Sequence, residues 1–243
     1  MNDLKDQIEH AISNTPDGRK TFFDVDAFPW VKEVEACSQA IRQELDQLLS
    51  AIDLLPGFEE IQIEQHTLST DKRWKIFPLH AYGYWVKSNE RRCPETVKAL
   101  KKIPNLQAAM FSILQPQKEL PPHRGPYSGV LRYHLGLKIP KPESQCGICV
   151  GGDFAHWEEG KSLIFDDSHM HHAWNRSNEE RVVLFVDFTR PLPSPIKEMN
   201  EQFINGIGRS MFIEGSIERW EMWEAAFGSE LDRSLEQLKA ASV

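Results

Sequence analysis

The chain has 243 residues, 40% of them apolar and 26% charged, and a formal net charge of -8. This composition is typical of a globular protein, and the length suffices for one large domain or two small ones. The negative charge argues against nucleic acid as a partner. No apolar run approaches the roughly 20 residues of a membrane span, the four cysteines are too few for a disulfide scaffold, and the N-terminus has no apolar signal core. The sequence therefore indicates a cytoplasmic protein, and it does not specify an oligomeric state.

The two ends of the chain have the pattern of helices. In residues 1–60, apolar side chains recur at three- and four-residue spacing after Pro29, which suits the first turn of a helix. Pro56 and Gly57 end this pattern. A helical pattern returns in residues 193–243. We expect both regions to pack on the outside of one structural domain.

The middle of the chain, residues 61–192, has the pattern of short strands separated by turns. The clearest strand covers residues 129–138, where Arg132 and His134 are two apart and therefore point to one face. We expect an anionic group to lie opposite this face. Short strands at such spacing are typical of a sandwich or jelly roll. The predicted fold class is mainly β, with a jelly-roll core and flanking helices.

Two histidine segments are candidates for a metal site. The first contains His123 and Gly125, and the second is the run His169-Met170-His171-His172. Non-haem iron oxygenases hold Fe(II) with two histidines and usually one carboxylate. In the common His-X-Asp/Glu form the carboxylate would stand where this chain has Gly125. Taken alone, His123 is better explained as a solvated loop histidine, and strand periodicity cannot choose a ligand within the second run.

From residue 74 to residue 191 the sequence resembles the aspartyl/asparaginyl β-hydroxylases. The matching residues are Phe111-Ser112-Ile113, Pro122-His123, Gly125-Pro126, Leu131-Arg132, His134-Leu135-Gly136-Leu137, Trp157-Glu158-Glu159-Gly160, Ile164-Phe165-Asp166-Asp167-Ser168, Trp174, Arg181 and Val186-Asp187. Many identities at consistent spacing are far more specific than a lone His-X-Asp match. The resemblance implies a 2-oxoglutarate- and Fe(II)-dependent dioxygenase with a double-stranded β-helix, a cupin-like jelly roll. It does not cover the flanking helical regions.

The resemblance also implies which residues bind iron. His123 and His171 match the family's two iron ligands, and both would be catalytic. The family's aspartyl hydroxylases likewise lack the carboxylate ligand, so Gly125 agrees with the family and water is expected in that position. Asp167 matches an aspartate that would hold this water, and it is the third predicted catalytic residue. Because glycine leaves room for a larger group, we expect Gly125→Asp to be tolerated.

A binding site for the cosubstrate is implied by four further residues. Ser112 and Arg181 match the positions that grip the distal carboxylate of 2-oxoglutarate. Arg132 and His134 match positions near its iron-chelating end. Guanidinium suits this task because its planar fork binds a carboxylate bidentately. Fe(II), 2-oxoglutarate and O2 are therefore the implied cofactor and cosubstrates.

The predicted function is hydroxylation of an unactivated carbon, first of all the β-carbon of an Asp/Asn-type or related substrate. Family members that act on protein domains carry a second arginine two residues before the Arg132 position, where this chain has Val130. The surrounding residues look more like the family's bacterial branch, which includes lipid A acyl-chain hydroxylases. A small molecule, a peptide and an acyl chain are all open as substrates. Two other hypotheses are a 2-oxoglutarate-dependent halogenase, with chloride beside Gly125, and a non-catalytic β-barrel binding protein.

Overall fold

Eleven strands lie within residues 2–241, the part of the chain that this computed structural model describes. They are β1 (Phe22–Phe23), β2 (Trp74–Ala81), β3 (Tyr84–Trp85), β4 (Leu106–Leu114), β5 (Lys118–His123), β6 (Val130–Lys138), β7 (Cys146–Val150), β8 (Asp153–Ala155), β9 (Ser162–Phe165), β10 (His171–Asn175) and β11 (Arg181–Thr189). A larger sheet has the order β1-β9-β6-β11-β4-β2-β3, and a smaller one has the order β5-β10-β7-β8. All pairings between these strands are antiparallel.

The two sheets face each other across a common interior. Leu120, Ile148 and Ala173 of the smaller sheet belong to the same buried cluster as the apolar side chains of the larger sheet. Two antiparallel sheets that share one core form a β-sandwich, of which the jelly roll is one type. The predicted fold class, mainly β with flanking helices around a jelly-roll core, is confirmed.

Eight α-helices flank the sheets within the described residues. They are α1 (Asn2–Ser13), α2 (Trp30–Glu35), α3 (Ser38–Leu49), α4 (Phe58–Ile61), α5 (Lys87–Arg92), α6 (Pro94–Leu100), α7 (Ile196–Ile207) and α8 (Met211–Ala241). The stripe after Pro29 forms two helices, α2 and α3, that are separated at Ala36 and Cys37. No helix between residues 2 and 241 is both long enough and apolar enough to cross a bilayer.

The N-terminal region contributes a strand that was not foreseen from the sequence. Phe22 and Phe23 form β1 and pair with Phe165 and Ile164 of β9 at the edge of the larger sheet. A strand of two residues is too short to show a period-two pattern, which explains why helical periodicity dominated the prediction for this region.

Helices α1 and α7 pack over the loop that precedes β6. The apolar side chains of their contact form a second buried cluster, which includes Ile8, Phe203 and Tyr127 of the loop. The Tyr127 hydroxyl donates a hydrogen bond to Asn200 Oδ1 at 2.6 Å. This packing holds the loop of residues 124–129, which leads from β5 to β6.

Strand β6 confirms the clearest strand prediction. Arg132 pairs with Asp187 of β11, and His134 pairs with Phe185. Side chains alternate along a strand, so Arg132 and His134 both point into the space between the sheets. The anionic group expected opposite this face is the carboxylate of Asp187, on the neighbouring strand.

Candidate active site

His123 and His171 lie directly opposite each other on neighbouring strands of the smaller sheet. His123 ends β5, His171 begins β10, and the antiparallel register pairs the two residues. Their ring centroids are 4.1 Å apart. Pro121 and Pro122 are tolerated in β5 because it is an edge strand. His123 is therefore a partly buried strand residue, and the loop position that the local sequence favoured is wrong.

Hydrogen bonds orient both imidazole rings. Nδ1 of His123 donates to the carbonyl of Pro121 at 2.7 Å, and Nδ1 of His171 donates to the carbonyl of His169 at 2.9 Å. A carbonyl can only accept, so each Nδ1 carries the proton and each Nε2 keeps a free lone pair. Burial lowers the pKa of His123 below its usual value and the pKa of His171 to about 3. Two neutral imidazoles with oriented lone pairs suit a divalent metal.

The other histidines of the second run lie away from this pair. His169 precedes β10, while His172 points to the opposite face of β10, with its ring 5.8 Å from that of Trp174. Only His171 of the three shares a cavity with His123. The geometry thus separates the candidates that strand periodicity left open.

One cavity between the two sheets, here called the active-site cavity, brings together six of the seven predicted site residues. They are Ser112, His123, Arg132, His134, His171 and Arg181. The remaining wall is apolar or aromatic and consists of Trp74, Leu120, Ile148, Trp157, Phe165, Ala173 and Phe185. Asp167, the seventh, does not line the cavity but contacts Arg132, with 2.9 Å between Oδ2 and Nη2.

Arg181 is a buried cation without an anionic partner in the described part of the chain. Its side chain is 2% exposed, and its Nε and Nη1 have no hydrogen-bond partner within residues 2–241. The guanidinium lies 4.5 Å from the ring centre of Trp157. Burial lowers the pKa of Arg181 to about 10, so that it is still charged at neutral pH. A buried and unpaired charge is costly to a protein, and the cost falls when an anion binds beside it.

Two further polar side chains of the cavity are available to a ligand. Ser112 is buried, and its hydroxyl oxygen accepts a hydrogen bond from Trp74 Nε1 at 3.0 Å. Its own proton can therefore be donated to another group. Neither ring nitrogen of His134 has a partner in the described chain. Burial, reinforced by the charges of Arg181 and Arg132, lowers the pKa of His134 well below its usual value.

Arg132 is already engaged by two carboxylates of the protein. Its Nε and Nη2 donate to Asp187 at 2.8 and 3.0 Å, and Nη2 also lies 2.9 Å from Asp167 Oδ2. Burial alone would lower the pKa of Arg132, but the two carboxylates raise it above its usual value. The guanidinium therefore organises the acidic groups at this end of the cavity.

The carboxylate of Asp167 occupies the space beside Gly125. The Gly125 amide donates to the Asp167 carbonyl at 2.7 Å, and a Cβ atom at position 125 would lie 2.1 Å from Asp167 Oδ2. The expectation that Gly125→Asp would be tolerated is therefore wrong. Burial raises the pKa of Asp167 to about 7, opposed by the charge of Arg132. A carboxylate does stand beside this position, but Asp167 supplies it from another segment of the chain.

We expect Gly125→Ala to destabilise the protein by about 1–3 kcal/mol, the usual cost of overpacking. The new methyl group would collide with the Asp167 carboxylate, which is held in turn by Arg132. Urea unfolding of the variant and the parent measures the effect. The matched control is Gly206→Ala, because no atom lies within 4 Å of a Cβ there and alanine favours a helix.

A double variant locates the collision. In Gly125→Ala combined with Asp167→Gly, the second substitution removes the atoms that the methyl group would meet. The cost of Gly125→Ala should therefore be smaller in an Asp167→Gly background than in the parent. An equal cost in both backgrounds would show that the collision lies elsewhere.

Two residues of the site were not predicted from the sequence to have a role. Asp187 holds Arg132, and Trp157 lies against Arg181. Both stood in the stretches that resembled the family. The sequence could have indicated a role for Asp187. Arg181, Phe185 and Asp187 are separated by even numbers of residues along β11, so their side chains share one face. Nothing local to Trp157 indicated its contact.

The comparisons with known proteins agree with this geometry. Residues 35–191 match the sequence model of the aspartyl/asparaginyl beta-hydroxylase family. The chain belongs to this family. It is thus assigned to a class of hydroxylating enzymes. Residues 2–241 contain no group of three or more His, Cys, Asp or Glu side chains suited to a metal.

Two relatives show how this family member compares with others. An ornithine lipid ester-linked acyl 2-hydroxylase of Rhizobium tropici is 45% identical over 215 residues, which cover 88% of this chain and 76% of the relative. The aspartyl/asparaginyl beta-hydroxylase of Homo sapiens is 34% identical over 173 residues, which cover 68% of this chain but only 22% of the human protein. Among solved structures, the Cupin_2 domain of an XRE family transcriptional regulator from Enterobacter cloacae covers 49% of this chain, at a TM-score of 0.35 and 11% identity.

Proposed function

We propose that this family member is a 2-oxoglutarate- and Fe(II)-dependent dioxygenase that hydroxylates an unactivated carbon. The observation that carries the proposal is the buried, unpaired guanidinium of Arg181 in the same cavity as His123 and His171. A buried and unpaired guanidinium favours the binding of a carboxylate, and two oriented imidazoles favour the binding of a metal. 2-Oxoglutarate can supply a carboxylate at each end, one for the arginine and one for the metal.

The residues of the cavity fit the iron. His123 and His171 would hold it through Nε2, and the carboxylate of Asp167 would hold a water molecule in the position that a protein carboxylate takes in related sites. When bound, the iron would supply the activation of O2 that hydroxylation of a C–H bond requires. Arg132 would hold the Asp167 carboxylate in place, with 2.9 Å between Nη2 and Oδ2.

The other residues of the cavity would bind 2-oxoglutarate and keep water out. Arg181 and Ser112 would hold its distal carboxylate by charge-assisted hydrogen bonds. His134 would donate or accept at the other end of the molecule through its unused ring nitrogens. The aromatic wall, including Trp157 and Phe185, would exclude water from the reacting atoms.

As the substrate we infer an ester-linked acyl chain of an amino-acid lipid, hydroxylated at the carbon next to the ester carbonyl. The Rhizobium relative supports this choice, because it matches 88% of this chain. The β-carbon of an Asp/Asn-type residue, which was the first expectation, takes second place. Val130 stands where family members that act on protein domains carry an additional arginine. A cytoplasmic location and the lack of a nucleic-acid partner stay predictions from the sequence.

The structure argues against the halogenase hypothesis. A halogenase needs chloride beside the small residue, but here that space borders the carboxyl group of Asp167. Whether charged or protonated, this group can form a hydrogen bond with a water molecule, and its charged form repels chloride.

A substrate screen tests the proposal. The purified chain is supplied with Fe(II), 2-oxoglutarate and O2 and with one candidate: an ester-linked acyl lipid of ornithine, an aspartate-containing peptide, or free aspartate. We expect succinate to form together with a lipid product that is one oxygen atom heavier, and no such product from the peptide. A chloride-dependent product would support the halogenase. An absence of both 2-oxoglutarate binding and succinate would support the non-catalytic binding protein.

A further inference from the structure

A second, larger space opens beside the active-site cavity. It contains about 980 Å³ of free space, part of it open to solvent. It lies between α4, α8 and the part of the larger sheet formed by β2, β3 and β4, and we call it the α8 cleft. Arg132 and Phe185 line both the α8 cleft and the active-site cavity, so the two spaces meet at these side chains.

The floor of the α8 cleft is apolar surface that the protein leaves uncovered. Pro78, Met110 and Phe185 lie side by side on β2, β4 and β11. These are inner strands of the larger sheet, yet all three side chains are partly exposed. Helix α8 borders the cleft through Ile213 and Trp220 but does not fill it. Bare apolar surface at the centre of a sheet is unfavourable in water and is covered when an apolar ligand binds.

Two exposed apolar residues are sequence neighbours of residues that line the cleft. Ile63 is 49% exposed and follows Gln62, which lines the cleft. Met211 is 87% exposed and precedes Phe212, which also lines it.

A second cleft has a polar lining. Its charged lining residues are Lys5, Arg19, Arg124 and Glu9, and Pro126 borders both this cleft and the α8 cleft. Pro126 follows Gly125, the residue beside the Asp167 carboxylate. An apolar and a polar space thus meet at Pro126, one residue from Gly125. This arrangement fits an amphipathic molecule whose polar and apolar parts join at the reacting carbon.

We propose that the α8 cleft binds the acyl chain of the substrate and sets the chain length that the enzyme accepts. The proposal rests on the proposed function, since a carbon next to an ester lies where the polar and apolar parts of a lipid join. Ile217 is the position that tests it. It lies on α8 and lines the cleft, is partly exposed, and does not line the active-site cavity.

The experiment measures binding of methyl esters of saturated fatty acids, from octanoate to hexadecanoate, each below its solubility limit in water. The full chain is used without 2-oxoglutarate, so that no turnover occurs. In the parent, each added methylene should tighten binding about fourfold until the cleft is full, after which the Kd stays constant. Ile217→Trp should reach this plateau at a shorter chain and bind the longest ester about tenfold more weakly. Ile217→Ala should reach it at a longer chain.

The matched control is Met222→Trp, on the same helix, at a side chain that is 72% exposed and does not line the cleft. It should bind every ester like the parent. A plateau that stays at the same chain length in both Ile217 variants would overturn the proposal, and so would a Met222→Trp variant that shifts it as Ile217→Trp does. Iron and 2-oxoglutarate titrations of the same proteins report separately on the proposed function, since their failure would leave the chain-length profile unchanged.

Discussion

Replacing His123 or His171 by alanine should abolish iron binding and turnover, whereas His169→Ala and His172→Ala should retain both. His123 and His171 are paired across β5 and β10, and each presents a free Nε2 lone pair. A site with two protein ligands cannot lose one and keep a useful affinity for Fe(II). His169 and His172 lie outside the cavity, so their loss removes no ligand. Anaerobic titration with Fe(II) measures the four affinities.

The same titration with Fe(II) can overturn the choice of His171 as the metal ligand. Loss of iron in His172→Ala, with retention in His171→Ala, would mean that β10 presents its other face to the metal. His171→Gln is a useful companion variant, since it keeps most of the volume of this buried side chain and separates loss of a ligand from loss of packing. Circular dichroism of each variant shows whether the fold is intact.

Arg181→Ala should weaken 2-oxoglutarate binding far more than iron binding. Truncating one partner of a buried, hydrogen-bonded charge pair typically costs about 2–5 kcal/mol, or roughly 30-fold and more in Kd. Arg181→Lys should give a smaller loss, because lysine keeps the charge but lacks the bidentate fork. Isothermal titration with 2-oxoglutarate, at saturating metal, measures the effect. A Kd within a few-fold of the parent would remove Arg181 from the binding site.

Arg190 provides a matched control for Arg181. Both arginines are buried, but Arg190 Nη1 lies 2.5 Å from Asp166 Oδ2, whereas Arg181 has no acidic partner within residues 2–241. Without 2-oxoglutarate, Arg190→Ala should destabilise the protein by about 3–5 kcal/mol, because it leaves the Asp166 charge buried and unpaired. Arg181→Ala should destabilise far less, since the guanidinium that it removes forms no ion pair with a described residue. Urea unfolding measures the difference, and an equal loss in both variants would show that Arg181 has a structural partner.

The sequence by itself determined those features that depend on local backbone geometry. Side chains alternate along any strand, so the shared face of Arg132 and His134 followed from their spacing in β6. The three- and four-residue spacing of apolar residues likewise predicted helical flanks. The fold class followed from short strands with turns between them. The choice of His171 within its run came from the resemblance to the family, because local periodicity could not make it.

Only the tertiary structure decided how these pieces meet. The pairing of His123 with His171 depends on the register between β5 and β10, which no local pattern encodes. The filling of the space beside Gly125 by Asp167, and the lack of an acidic partner for Arg181, depend on residues distant in sequence that share one interior. The α8 cleft is likewise a gap between a helix and a sheet, and gaps are set by packing. Local periodicity determines the direction in which a side chain points, whereas long-range packing determines what it meets.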